Sequence, residues 1–82
     1  MPDNHISFEN KDYYIELGLN IAFYRKRAGL TQDMLAEKAG LSRSHLSAIE
    51  APNIIRSFSL EILFHIARAL DVEPYQLLQF RD

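Results

Sequence analysis

Ser42, Ser44, His45 and Glu50 carry, within one short stretch, the hydroxyl, imidazole and carboxylate groups from which acyl-transfer machinery is built. Their spacing does not assemble it. On a helix, residues one apart point in different directions, so Ser44 and His45 cannot form a nucleophile–base contact. A chain of 82 residues also has no second layer with which to close a cleft over them. An enzyme is therefore not expected, and the sequence contains no glycine-rich phosphate loop. There is no cysteine, which excludes disulfides and thiolate zinc sites. His5, His45 and His65 are too widely spaced to form a local ligand pair, so neither a structural metal nor a cofactor is expected. What remains is the chemistry of recognition. Arg43, Ser44, His45 and Ser47 alternate with apolar Leu46 and Ile49. At 100° per residue, turning Leu46 and Ile49 inward sets Ser44, Ser47, Ala48 and Ala51 outward, with Arg43 and His45 on the flanks.

The elements that must hold this face can be read along the chain. Met1 to Lys11 show no sustained period and are expected to form a flexible arm. Residues 12–82 are expected to form a single domain. Leu17, Ile21, Tyr24 and Ala28 make a helical stripe from Asp12 onward, with Lys26 and Arg27 in the last turn and Gly29 as the stop. Thr31 is placed to cap a short second helix that carries Asp33 in its first turn and has Met34, Leu35 and Ala39 as its apolar face, ending at Gly40. Ser42 caps a third helix, which stops before Pro52. After a loop to Ser57, Ser59 caps a fourth helix with Leu60, Leu63, Ile66, Ala67 and Leu70 along one face. Pro74 opens a last element containing Leu77, Leu78 and Phe80. Without strand-like alternation anywhere, this is an all-α, five-helix domain.

Net charge is −2, yet the charge is segregated. From Arg25 to Arg56 there are six bases against three acids, while the rest of the chain has three bases against eight acids. The local field, not the total, steers a polyanion toward the basic segment. The acidic start lacks the basic lead and apolar run of a secretory signal, and no stretch of eighteen apolar residues is present, so a cytoplasmic protein with no membrane partner is expected.

Gln32 to Ile49 meet the needs of two helices joined by a tight turn: small Ala36 at the crossing, Gly40 where the turn requires positive φ, and Leu46 with Ile49 as inward contacts. Here the chain resembles the lambda-repressor-like, Xre-type helix-turn-helix regulators. The resemblance is carried by "GLTQDMLAEKAGLSRSHLSAIE" at Gly29 to Glu50, by the preceding "NIAFYRKRA", and by "SLEILFHIARALDVEPYQLL" after it. It implies a compact five-helix DNA-binding domain with its motif at 32–50, whose third helix, about 43–51, enters the major groove of double-stranded DNA. It further implies a sequence-specific transcriptional regulator, a repressor, acting as a homodimer without a small-molecule ligand. An antitoxin-like or anti-regulator protein-interaction module on the same fold is the alternative.

On that resemblance, Arg43, Ser44, His45 and Ser47 are the candidates for base readout. Arg43 is the sharpest, because a guanidinium can bond guanine O6 and N7 together; a phosphate-bound or solvated arginine is the other reading. Gln32 matches a family position that contacts the DNA backbone, at a helix start where free amides favour phosphate. Ser42 and Arg56 are the other phosphate candidates, although Ser42 serves first as a cap. Arg25 and Glu50 match positions that form a structural salt bridge. Tyr75, Leu78 and Phe80 are candidates for a dimer patch through the C-terminal helix. The sequence departs from the family pattern at Pro52, where glycine is usual, and its loop is about two residues longer. The apolar loop residues Ile54, Ile55 and Phe58 are expected to tuck against the core, with a partner surface as the alternative.

Overall fold

The computed structural model describes Ser7 to Phe80. The arm expected at the N-terminus falls largely on Met1 to Ile6, outside the described residues; Phe8–Asn10 form a 3-10 turn. Five helices follow: α1 Lys11–Arg27, α2 Gln32–Ala39, α3 Arg43–Glu50, α4 Leu60–Leu70 and α5 Pro74–Leu77. No strand occurs among the described residues.

Local chemistry sets most of the boundaries. Thr31, Ser42 and Ser59 adopt extended backbone, and their hydroxyls accept the N–H groups of Met34, His45 and Ile62, which would otherwise be unpaired at the helix starts. Gly40, at φ 76°, ends α2, and Leu41 N–H donates to the Ala36 carbonyl at 2.8 Å. This left-handed turn lets α3 start with only three residues between it and α2. Asp71 closes α4 in the same left-handed region at φ 58° although it is not glycine.

The core joins Leu17 and Ile21 of α1, Leu35, Ala36 and Ala39 of α2, Leu46 and Ile49 of α3, Leu63, Ile66, Ala67 and Leu70 of α4, and Leu77 of α5. Helix α2 packs on both α3 and α4, and α1 packs on α3. Gly18 lies where α1 meets the end of α3, and a Cβ there would overlap the Ile49 carbonyl oxygen. Asn20, buried in α1, donates through Nδ2 to the carbonyls of Leu77 at 2.9 Å and Gln79 at 3.2 Å, tying the chain's end to its first helix.

Several apolar expectations need correction. Met34 is exposed, because Leu35, Ala36 and Ala39 define the inward side of α2 and Met34 lies well over 100° from its centre. Leu60 is on the inward side of α4 by angle but sits at its first residue, where no helix covers it. Ala28 is exposed as the cap beyond the end of α1. In the loop, only Phe58 packs against the core. The turn in which Ile54 N–H donates to the Ala51 carbonyl carries Ile54 and Ile55 outward, leaving both exposed.

Candidate nucleic-acid interface

Helix α3 is locked at one end and open at the other. Glu50, in its last turn, is buried and receives Arg25 Nε at 2.8 Å and Nη2 at 3.0 Å, a two-pronged pair between α3 and α1. Arg25 Nη1 donates to the Leu30 carbonyl at 2.9 Å, so the same guanidinium also holds the α1–α2 turn. Gln32 Nε2 donates to Glu50 Oε1 at 3.0 Å, bringing the start of α2 into the network. A guanidinium suits this role because its planar fork matches a carboxylate and keeps its charge when buried. The pairing expected for Arg25 and Glu50 is present, and it commits the one carboxylate that a Ser–His arrangement in this stretch would have needed.

The network changes what Gln32 has to offer. One amide hydrogen is committed to Glu50, leaving the second hydrogen and the backbone N–H as donors toward an anion. This glutamine is half-buried, and its side chain supports Glu50, a second duty that its position at a helix start does not reveal.

At the open end, Arg43 and Ser44 are exposed. Ser42 Oγ accepts His45 N–H at 3.1 Å and lies 3.4 Å from Ser44 Oγ. His45 and Ser47 are half-buried, as are Ala48 and Ala51. Of the four base-readout candidates, two therefore stand out in solvent and two lie partly against the domain. Arg43 Nε is 3.7 Å from Asp33 Oδ1 at the start of α2. Arg56 is exposed in the loop after α3.

The C-terminal candidates separate. Tyr75 and Leu78 are exposed, at 67% and 45% of their surface, whereas Phe80 packs against the core and stacks on Tyr13 with ring centroids 5.5 Å apart. Leu60, Leu78, Phe80 and Tyr13 wall an apolar groove of about 370 Å³ between the start of α1, the start of α4 and the chain's end.

Known proteins share this geometry. A family model described as helix-turn-helix matches residues 21–77, from the middle of α1 to the end of α5. The chain belongs to this helix-turn-helix family. It is 39% identical over 66 residues to the HTH-type transcriptional regulator SinR of Bacillus licheniformis, an alignment covering 80% of this chain and 59% of the relative. It is 35% identical over 78 residues to the control protein C.SmaI of Serratia marcescens, covering 95% of this chain and 88% of that protein. The solved structure of SinR, the master regulator for biofilm formation, in complex with DNA superposes with a TM-score of 0.71 at 40% identity, over 77% of this chain and 98% of that one. The fold is the lambda-repressor-like arrangement of five helices expected from the motif. This helix-turn-helix chain spans little more than half the length of the SinR relative.

Proposed function

We propose that this chain is a sequence-specific, double-stranded-DNA-binding transcriptional regulator, acting as a repressor from the cytoplasm, with α3 laid into the major groove. The observation that carries the reading is the asymmetry of α3. Its last turn is clamped to α1 by the Arg25–Glu50 pair, while its first turn presents Arg43 and Ser44 to solvent. A recognition helix needs both properties, since an unclamped helix would not hold its base contacts in register. Arg43, Ser44, His45 and Ser47 are assigned to base edges. Gln32, Ser42 and Arg56 are assigned to phosphates, Gln32 through its remaining donors. Similarity to SinR, a protein solved with DNA, supports the same reading.

The assignment is to binding, not catalysis. Ser42 is engaged as a cap and Glu50 as the partner of Arg25. Two copies pairing about a twofold axis would place two α3 helices one DNA turn apart, about 34 Å, on a pseudo-palindrome. Tyr75 and Leu78 supply the exposed pairing patch, whereas Phe80 packs against the core and stacks on Tyr13.

Titration of a mixed-sequence duplex against salt tests the first claim. The logarithm of affinity should fall with the logarithm of salt by about 0.9 per neutralised phosphate. Selection of bound duplexes from a random pool then reveals the operator and its symmetry. A flat salt response would favour a protein-interaction module on this fold, the reading to which exposed Leu60, Phe64, Tyr75 and Leu78 lend support. A light-scattering mass of one chain, with and without the selected duplex, would refute the dimer.

A further inference from the structure

We infer that Asp33 is a positioning residue for base readout: its carboxylate faces the Nε side of Arg43 and biases the Nη fork toward the duplex. The inference rests on the assignment of α3 to DNA. The two residues belong to different helices, Asp33 to the first turn of α2 and Arg43 to the first position of α3, and the short turn at Gly40 brings those helices together. Their closest approach is Nε to Oδ1, at 3.7 Å.

Stability does not account for this pair. Side-chain exposures of 62% for Arg43 and 74% for Asp33 leave it in solvent, where such contacts contribute little to folding. A carboxylate beside the leading arginine of a polyanion-binding face also repels phosphate and lowers general affinity for DNA. An acid in the first turn of a helix favours the helix dipole. That role needs no arginine opposite, so it explains the acid and not the pair.

The chemistry of the guanidinium explains both. Arginine has a long stem with many rotamers and five N–H donors in a fixed fork. Unrestrained at a helix start, it can turn to a phosphate as readily as to a base, and a phosphate contact carries no sequence information. A carboxylate at Nε selects orientations in which the Nη groups form the free edge, the edge that matches guanine O6 and N7. The same negative charge disfavours phosphate as the alternative partner. Asp33 thus lowers raw affinity and raises discrimination.

The test uses the full chain with a duplex selected from a random pool and its single-base variants, and measures Kd for wild type, Asp33→Asn, Asp33→Glu, Arg43→Ala and the Asp33→Asn/Arg43→Ala double variant. Thermal melts establish that each variant is folded. Asp33→Asn should bind mixed-sequence duplex about two- to threefold more tightly, through loss of one like charge. Its preference for guanine at the base pair read by Arg43 should fall about fivefold, part of what a full bidentate contact confers. Asp33→Glu should restore most of that preference. In the Arg43→Ala background, Asp33→Asn should produce no further loss. A guanine preference within twofold of wild type in Asp33→Asn, alongside clear loss in Arg43→Ala, would overturn the positioning role while leaving the base-reading assignment intact. No loss in Arg43→Ala would overturn both.

Discussion

The Arg25–Glu50 pair is the contact on which the orientation of α3 depends, and its removal has a calculable consequence. Glu50→Ala takes away the two hydrogen bonds that the Arg25 guanidinium makes to the carboxylate, leaving it the Leu30 carbonyl, and also removes the acceptor for Gln32. The stranded guanidinium has a side chain only 11% exposed, so water cannot replace what is lost. Breaking a buried pair from one side costs about 3–5 kcal/mol. At roughly 0.05–0.15 kcal/mol per residue, a chain of 82 residues has roughly 4–12 kcal/mol in total. The variant should therefore lose a quarter or more of its stability, lowering Tm by on the order of 12–40 °C at about 4–8 °C per kcal/mol.

Urea unfolding followed by far-ultraviolet circular dichroism measures this, with an unchanged m-value as the sign that the two end states are the same. The companion variant is Arg25→Met/Glu50→Leu, which removes both charges and keeps similar volume. It should lie within about 1 kcal/mol of wild type, because neither ion is left unpaired. A cost below about 1 kcal/mol for Glu50→Ala, or a double variant as unstable as the sum of the singles, would refute the claim that an uncompensated buried charge causes most of the loss.

Gly18→Ala should destabilise the domain by about 1–3 kcal/mol in chemical denaturation, because the new methyl group can be accommodated only by moving α1 away from the Ile49 carbonyl. Ala36→Leu, at a site 2% exposed between α2 and its neighbours, should cost a similar amount, and a normal melt would contradict the close packing there. Asp71→Gly should raise Tm by a few degrees, since relief of the left-handed backbone, about 1 kcal/mol, exceeds the added chain entropy of glycine. Arg43→Ala should leave the melt unchanged and flatten the preference among operator variants, a result read by competition binding.

The number of helices and most of their limits were legible from local chemistry, although α5 stops at Leu77, short of the Leu78 and Phe80 expected in the last element. Capping hydroxyls at Thr31, Ser42 and Ser59 and the stops at Gly29 and Gly40 act within a few residues of chain, and they operate as the sequence implies. The inward positions Leu46 and Ile49 follow from helical period alone. The clamp between Arg25 and Glu50 was reached only through the family resemblance, since no local pattern links residues 25 apart.

Other features have no short-range signature. Asn20 looks like one polar residue in an amphipathic helix, and its burial appears only once α5 and the chain's end pack over α1. Gly18 interrupts no pattern, and its necessity appears only where the backbone of α3 crosses it. Leu60 satisfies the period of α4 but lies beyond the reach of any covering helix, just as Ile54 and Ile55 are directed outward by a turn. The approach of Asp33 to Arg43 depends on how two helix starts are brought together. Hydrophobic period and capping act along the chain, so the sequence alone determined the five helices and the polar face of the third. Close approach, burial of a polar group and pairing of distant charges depend on where helices meet, and that was decided only by the tertiary packing.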